Sequence, residues 1–366
     1  MALFMESPVG ARTIFNGRLM DYFGGSGYLG LQNHPAVLQA AQEALQRYGF
    51  STATSRGGLG EHPIYVDLEK AASDYFGAEK VIYYASGYLG SAILTQATSN
   101  RFEHIFIDSS AHFSLWDAAH ATNLPITPFH HLSAQSLAEH LNLDLRPQER
   151  PLVLSDGVFP VSGEIAPLPD YLDLVKPRKG LIYLDDAHAV GVLGKNGRGT
   201  PEYYGIDDQS CYTSATLAKA LGGFGGVIWG SAIWVDSIDQ ASRICAGASP
   251  PPLVVTAASA SALKVAHTSP ELRLQLWERV RQARNGLRAL GWELTDTPVP
   301  ILCLESRPGV SLERIKKNLF EQDIAIELVR SYTSTPAGGA LRIAIFSTHT
   351  NEQIDRLVAA IGNSMH

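Results

Sequence analysis

Short apolar runs alternate with amphipathic stretches through most of the chain, and this alternation limits the fold more strongly than any other feature. The runs typical of buried strands are VIYY at 81–84, IFI at 105–107, LVL at 152–154, LIYL at 181–184 and VIW at 227–229. Helical patterns accompany them, for example over 34–49, where Val37, Leu38, Ala41 and Leu45 recur at helical spacing. Together they predict an α/β fold with a mostly parallel central sheet, covered on both faces. Ligands bind beyond the carboxyl ends of such strands, so we expect the chemistry there.

The pattern changes near residue 250, where SPPP at 249–252 interrupts the chain. A long helical stretch follows, and then two apolar runs, ILCL at 301–304 and LRIAIF at 341–346. We therefore expect a large domain over 46–265 and a smaller α+β C-terminal domain over 266–366. Residues 1–45 are expected to pack with the small domain.

Composition argues against several classes of function. The net charge of -7 and the absence of any lysine- or arginine-rich block argue against nucleic-acid binding. No window approaches the roughly 18 uninterrupted apolar residues of a membrane span. Cys211, Cys245 and Cys303 lie far apart, so neither a metal site nor a disulfide framework is expected. A cytoplasmic location is the simplest expectation.

A lysine among small residues is the strongest chemical signal. The run LIYL leads into Asp185, Asp186 and His188, and 34 residues after Asp185 the segment CYTSATLAK ends at Lys219, before LGGFGG. Few solvated neighbours surround this lysine, and desolvation lowers the pKa of an amine, as imine formation requires. The alternative is an ordinary surface lysine, which the apolar context disfavours.

Three further strand ends carry weaker signals. Ser86 and Gly87 follow VIYY, where free backbone amides at a helix start can bind a phosphate, although Ser-Gly after a strand is more often a turn. His112 follows IFI and Asp156 follows LVL. Taken alone, the histidine is more often a packed or surface residue, and the aspartate before glycine is more often part of a turn.

Together these segments resemble the α-oxoamine synthase family of fold-type-I pyridoxal 5'-phosphate (PLP) enzymes. The matching segments are YLGLQNHP at 28–35, SRGGLGEHPIYVDLE at 55–69, SGY at 86–88, DSSAHFS at 108–114, SDGVFPVSGEIAPL at 155–168, LDDAHAVGVLGKNGRG at 184–199, TLAKALGG at 216–223 and LRIAIFSTHT at 341–350. They occur in the family's order and spacing over nearly the whole chain. The resemblance therefore implies both the fold and the cofactor, PLP.

The resemblance also implies a role for each residue at the strand ends. Lys219 would hold PLP as an imine and act as the general base, and Asp185 would face the pyridine nitrogen. His188 would bond the phenolic oxygen, and His112 would stack on the ring. Asp156 would support the histidines. The phosphate would be bound by Ser86, Gly87, Tyr88, Ser214 and Thr216.

Three more residues follow from the same resemblance. Arg342 would grip the carboxylate of an amino acid, where a planar fork outperforms a point charge. Its alternative is a charged residue that points out of a strand. Ser26 would lie near the substrate. Ser249 would reach the phosphate of a neighbouring subunit, which implies a homodimer with active sites at the interface.

The implied reaction condenses a small α-amino acid with an acyl-CoA or another acyl thioester, with decarboxylation, to an α-amino ketone. The rivals are an aminotransferase, racemase or decarboxylase that uses no acyl donor, and a non-enzymatic binding module. Four departures from the family pattern bear on the choice. Ser26 replaces an asparagine, Pro160 replaces a serine and Asp186 replaces a glutamate. Because only 27 residues precede Tyr28, we expect an altered or absent thioester channel.

Overall fold

The fold is known from a computed structural model, which describes residues 3–365. The strands are β1 (Arg12–Phe15), β2 (Arg18–Tyr22), β3 (Lys80–Tyr84), β4 (His104–Asp108), β5 (Ile126–Phe129), β6 (Pro151–Asp156), β7 (Leu181–Asp185), β8 (Cys211–Thr216), β9 (Gly226–Gly230), β10 (Ile301–Glu305), β11 (Ile324–Ala325), β12 (Glu327–Val329) and β13 (Ala340–Ala344). The helices are α1 (Pro35–Tyr48), α2 (Pro63–Phe76), α3 (Gly90–Thr98), α4 (Phe113–His120), α5 (Ala134–Asp144), α6 (Leu168–Val175), α7 (Thr200–Tyr204), α8 (Ala232–Ala241), α9 (Arg243–Gly247), α10 (Leu253–Thr268), α11 (Glu271–Ala289), α12 (Leu312–Glu321) and α13 (Asn351–Asn363).

A seven-stranded sheet forms the centre of the large unit, in the order β3-β9-β8-β7-β6-β4-β5. All pairs are parallel except those of β9, which runs antiparallel to both of its neighbours. In β4, side chains on both faces of the sheet are buried, which explains why the run IFI at 105–107 has no polar residue. Ile105 and Ile107 pack on one face of the sheet, and Phe106 packs on the other. The predicted mostly parallel sheet with two covered faces is confirmed.

The predicted helix over 34–49 is present as α1, but its buried face differs from the expected one. Val37 and Ala44 are buried, whereas Leu38 is 50% exposed and Leu45 is 51% exposed. The reason is close packing against α10, where the Ser261 hydroxyl donates to the carbonyl of Ala36 at 3.0 Å. Smaller side chains let α1 and α10 lie close together, so Val37 and Ala44 rather than the two leucines face α10.

The C-terminal unit contains a three-stranded antiparallel sheet in the order β10-β13-β12, accompanied by α11, α12 and α13. A second sheet joins the two ends of the chain, because β11 pairs in parallel with β2 of the N-terminal hairpin. The domain boundaries predicted after residues 45 and 265 both fall inside helices, α1 and α10. The three-part division therefore stays a prediction. No helix within residues 3–365 is long and apolar enough to cross a membrane.

A histidine clamped between two carboxylates ties together three loops at the carboxyl edge of the sheet. His131 Nδ1 lies 2.9 Å from Asp108 Oδ1, and its Nε2 lies 3.2 Å from Glu164 Oε2. Asp108 also accepts from the amides of Ser110 and Leu132. Burial alone would lower the pKa of His131, but the hydrogen bonds and charges of Asp108 and Glu164 raise it to about 9. The ring is therefore an imidazolium near neutral pH.

We expect His131→Gln to lower the free energy of unfolding by about 1–3 kcal/mol near pH 6. A folded-state pKa raised above the unfolded value gives stability that is complete below about pH 6.5 and lost as the pH rises through about 9. Urea unfolding at about pH 6 and above about pH 9 measures the difference. His140→Gln is the control, because His140 pairs with one carboxylate, that of Asp144, among the described residues and lies on the surface of α5. An equal loss of stability at both pH values would contradict this account.

Candidate active site

A cavity of about 1050 Å³ opens between the carboxyl edge of the large sheet, the N-terminal hairpin and the C-terminal unit. Most of the residues predicted from the strand ends and the resemblance line it together. They are Ser26, Ser86, Gly87, Tyr88, His112, Asp156, Asp185, His188, Thr216, Lys219 and Arg342. Residues up to 316 positions apart in sequence thus meet in one place (Ser26 to Arg342).

One part of the cavity is built for an anion. Strand β3 ends at Tyr84, and a short turn over Gly87–Leu89 leads directly into α3. No residue in the described part of the chain accepts a hydrogen bond from the amides of Gly87 and Tyr88. Free amides at the start of a helix attract a phosphate. Glycine is required at 87, because a Cβ there would lie 2.5 Å from the Cβ of Thr216.

Lys219 lies just after β8 and lines the cavity as a partly buried residue. Burial lowers the pKa of its amine to about 8, against the raising effects of Asp185 and Asp156, and nearby Arg342 lowers it further. An amine with this pKa is unprotonated in a usable fraction of molecules near neutral pH. The predicted depression of the lysine's pKa by desolvation matches the geometry of the site.

Two buried aspartates lie side by side, because the last residues of β6 and β7 are in register, Asp156 opposite Asp185. Burial raises the pKa of Asp185, although Lys219 and His112 favour its charged form. Burial, followed by the charge of Asp185, raises the pKa of Asp156 well above its usual value. Asp156 Oδ2 accepts from the backbone amide of His112 at 2.8 Å. The expected support of the histidines by Asp156 therefore reaches His112 through its main chain.

Both predicted histidines are held by other side chains. His188 Nδ1 lies 2.8 Å from the hydroxyl of Tyr28, and burial followed by the charge of Lys219 lowers the pKa of His188 well below its usual value. His112 caps α4 by accepting from the amide of Ser114 at Nδ1, 3.2 Å away. Burial lowers the pKa of His112 as well. Both rings are therefore neutral near pH 7.

Arg342 is 6% exposed, which excludes the alternative of a charged side chain pointing from the strand into water. Its Nε donates to the carbonyl of Pro160 at 2.7 Å, and its Nη1 donates to the carbonyl of Gly25 at 3.0 Å. Glu327 lies 3.6 Å from Nη1. The guanidinium thus joins β13 to loops of both other segments. Pro160, a departure from the family pattern, supplies one of the oxygens that orient it.

Two of the predicted residues do not line the cavity. Ser214 is buried beneath it, and its hydroxyl bonds the hydroxyl of Tyr183 at 2.5 Å. The hydroxyl of Ser214 is therefore engaged below the cavity wall, and its expected bond to the phosphate stays a prediction. Ser249 lies on the surface after α9 and outside the cavity of its own chain. Its expected contact with a neighbouring subunit stays a prediction.

Sequence reasoning missed three residues at the site. Tyr28 is fully buried and bonds His188, and its hydroxyl also lies 3.4 Å from Nη2 of Arg342. Glu327 accepts from the amide of Gly25 at 3.1 Å. Tyr332 bonds His112 from the loop between β12 and β13. Tyr28 is the first residue of the motif YLGLQNHP at 28–35, so the resemblance could have identified it. Glu327 and Tyr332 lie in no recognisable motif.

A second set of lining residues, from the N-terminal segment and from α12 onwards, forms a mostly apolar part of the cavity. Its apolar members are Leu3, Met5, Phe15, Tyr22, Phe320, Ile324, Ala325, Ile326, Leu328 and Val329, and Glu327 and Arg330 line the cavity among them. Lys316 also lines the cavity and is exposed. The residues before Tyr28 therefore help to build the cavity wall.

Comparison with known proteins decides the family. A sequence profile described as aminotransferase class I and II matches residues 23–361. The chain belongs to this family. Among its relatives is the 8-amino-7-oxononanoate synthase of Methylococcus capsulatus, which is 31% identical, with 99% of this chain and 93% of the relative covered. The corresponding protein of Coprothermobacter proteolyticus is 30% identical, with 98% and 92% covered.

Solved structures agree. Serine palmitoyltransferase from S. paucimobilis, with a bound PLP–myriocin aldimine, superimposes with a TM-score of 0.91 at 26% identity, covering 99% of this chain and 92% of that one. The serine palmitoyltransferase of Sphingomonas wittichii gives a TM-score of 0.91 at 25% identity, with the same coverage. These findings confirm the predicted α-oxoamine synthase family and the fold-type-I architecture.

We expect Gly87→Ala to weaken the binding of PLP, the predicted cofactor, by about 100-fold, since the new Cβ would push the turn away from Thr216 and misdirect its amides. Titration of the apoprotein with PLP, followed by absorbance, measures the affinity. Gly10→Ala is the matched control, because a Cβ at Gly10 meets nothing closer than 3.7 Å. An unchanged affinity in Gly87→Ala would show that the phosphate binds elsewhere.

Proposed function

We propose that this chain is a PLP-dependent acyltransferase that condenses a small α-amino acid with an acyl thioester, with decarboxylation, to give an α-amino ketone. The observation that carries the proposal is a single cavity with two chemically different parts. One part holds an amine, two carboxylates, two neutral histidines and an arginine, and the other part is apolar. The relatives named 8-amino-7-oxononanoate synthase and serine palmitoyltransferase support the same reaction class.

The residues present fit PLP. The free amides of Gly87 and Tyr88 suit its phosphate, Asp185 suits a protonated pyridine nitrogen, and Lys219 suits its aldehyde. When bound, PLP supplies an electron sink for the charge that develops at the α-carbon of the amino acid. Lys219 Nζ then accepts and returns the proton at that carbon, a task for which a pKa of about 8 is well matched.

Arg342 binds the carboxylate of the amino acid in this proposal. Its side chain is already oriented by the carbonyls of Pro160 and Gly25, so little conformational entropy is lost when a carboxylate binds. Glu327 and Tyr28 also contact the guanidinium, which keeps it from swinging away from the cavity. The burial of the group strengthens its attraction for an anion.

The apolar part favours acyl transfer over the rival reactions. Ligand pockets usually measure about 300–1,000 Å³, so this cavity is large for a cofactor and one small amino acid alone. An aminotransferase, racemase or decarboxylase acting on such an amino acid would leave the wall formed by Phe15, Phe320 and Ile326 without a ligand. A binding module would have no use for Lys219 with a lowered pKa. The chain of an acyl thioester fits the apolar space.

Three further features belong to the proposal. The enzyme is a homodimer in which Ser249 reaches the phosphate of the partner's site, in keeping with its exposed position after α9. It works in the cytoplasm, in keeping with three free cysteines. The chain is divided into segments 1–45, 46–265 and 266–366, and the pairing of β2 with β11 supports the packing of the first segment against the last.

The test follows free thiol while the holoenzyme is mixed with one amino acid and one acyl-CoA. We expect thiol release only when both substrates are present, with loss of the amino acid's carboxyl group as CO₂. Acyl chains of increasing length and a panel of small amino acids identify the preferred pair. Lys219→Ala is the inactive control. Turnover of the amino acid without any thiol release, with every acyl donor, would favour an aminotransferase, racemase or decarboxylase instead.

Lys219 must be unprotonated to capture the aldehyde of PLP. We therefore expect the rate of PLP capture by the apoprotein to rise about tenfold per pH unit at low pH and to level off above about pH 8. The visible absorption of the resulting imine reports the rate. A profile that levels off only near the usual pKa of a lysine, about 10.4, would contradict the lowered pKa.

We expect Arg342→Lys to raise the KM for the amino acid about 30-fold, because an ammonium cannot bind a carboxylate in a fork and leaves the carbonyls of Pro160 and Gly25 poorly satisfied. The kcat should fall less than KM rises. Arg314→Lys on α12 is the control, since the Arg314 side chain is exposed and donates to the carbonyl of Met365 outside the cavity. An unchanged KM would mean that the carboxylate binds elsewhere.

A further inference from the structure

Tyr332 connects the C-terminal unit to the chemical centre. It lies in the loop between β12 and β13, and its hydroxyl is 2.9 Å from Nε2 of His112, 220 positions away in sequence. Its ring also packs edge-on against Phe113, with 5.3 Å between the ring centres. Tyr332 therefore contacts both His112 and Phe113, the first residue of α4, at the wall of the cavity.

The partners of His112 define its tautomer. The amide of Ser114 can only donate, and it points at Nδ1 from 3.2 Å, so Nδ1 carries no proton. The Ser114 hydroxyl, 2.8 Å from Nδ1, can donate as well. The single proton of a neutral ring is then on Nε2, from which it is donated to the oxygen of Tyr332.

The surroundings of His112 agree with a neutral ring. The charged groups that act on it are Asp185 and Asp117, which favour protonation, and Lys219, which opposes it. Burial outweighs the two carboxylates. An imidazolium would also place a second N–H against the amide of Ser114, which the capping geometry forbids.

We propose that Tyr332 is a positioning residue, which holds the ring of His112 in its neutral Nε2–H form at one fixed orientation in the cavity. The bond to Tyr332 fixes one ring nitrogen and the cap of α4 fixes the other, so the imidazole can neither rotate nor exchange tautomers. The inference rests on the proposed function only for its kinetic consequence. The tautomer of His112 can be measured whether or not acyl transfer occurs.

The test records the ¹⁵N spectrum of histidine-labelled holoenzyme, with the His112 signals assigned by comparison with His112→Gln. The wild type should show unprotonated Nδ1 and protonated Nε2 from about pH 7 to about pH 8. Tyr332→Phe keeps the ring packing on Phe113 but loses the hydroxyl, and should give a mixture of tautomers. Tyr203→Phe is the matched control, because Tyr203 is a partly exposed tyrosine on α7 outside the cavity.

Kinetics supply the second measurement. Tyr332→Phe should lower kcat/KM about five- to tenfold, the effect of one hydrogen bond, whereas Tyr203→Phe should not. The inference is overturned if wild-type His112 carries its proton on Nδ1, if Tyr332→Phe leaves the ¹⁵N pattern unchanged, or if the pattern changes without any change in kcat/KM. A wild-type enzyme that releases no thiol would contradict the proposed function instead, and the ¹⁵N spectra would still decide the tautomer.

Discussion

The attraction between the amine of Lys219 and the buried carboxylates of Asp185 and Asp156 is the interaction on which the site depends. Each of these groups would be costly to bury alone, since desolvation penalises every charge. Placed together they offset part of that cost, but burial outweighs the attraction, so the amine keeps a lowered pKa beside carboxyls of raised pKa. The parallel register of β6 and β7 makes the arrangement rigid.

Arg342 plays a comparable part in joining the segments of the chain. Its guanidinium contacts a carbonyl from the N-terminal segment, at Gly25, and another from the large unit, at Pro160, while its backbone belongs to the C-terminal sheet. The same group that is proposed to bind substrate is therefore also a tie between three parts of the fold. Loss of its planar geometry would affect binding and assembly together.

Hydrophobic periodicity predicts the central sheet, and the positions of the strand ends predict which polar residues lie at its carboxyl edge. Asp156 and Asp185 are predicted from the strand ends, which parallel strands bring to one edge, and Lys219 is predicted from its small neighbours. The bond between the hydroxyls of Ser214 and Tyr183 could not be predicted, because no sequence pattern shows which side chain lies behind β8. The predicted buried face of α1 was wrong, since the approach of α10 cannot be read from a single helix. Tyr332 could not be found at all, because a loop without periodicity places it.

The parallel pairing of β2 with β11 has a consequence for biosynthesis. The strands from β3 to β9 are all made before residue 231, so the large sheet can form while the remainder of the chain is still on the ribosome. The first hairpin, although made earliest, has to wait for residues 324–325 before its outer edge is paired. Until then a strand edge is open to other chains. Protection of that edge during synthesis would therefore limit its pairing with other chains.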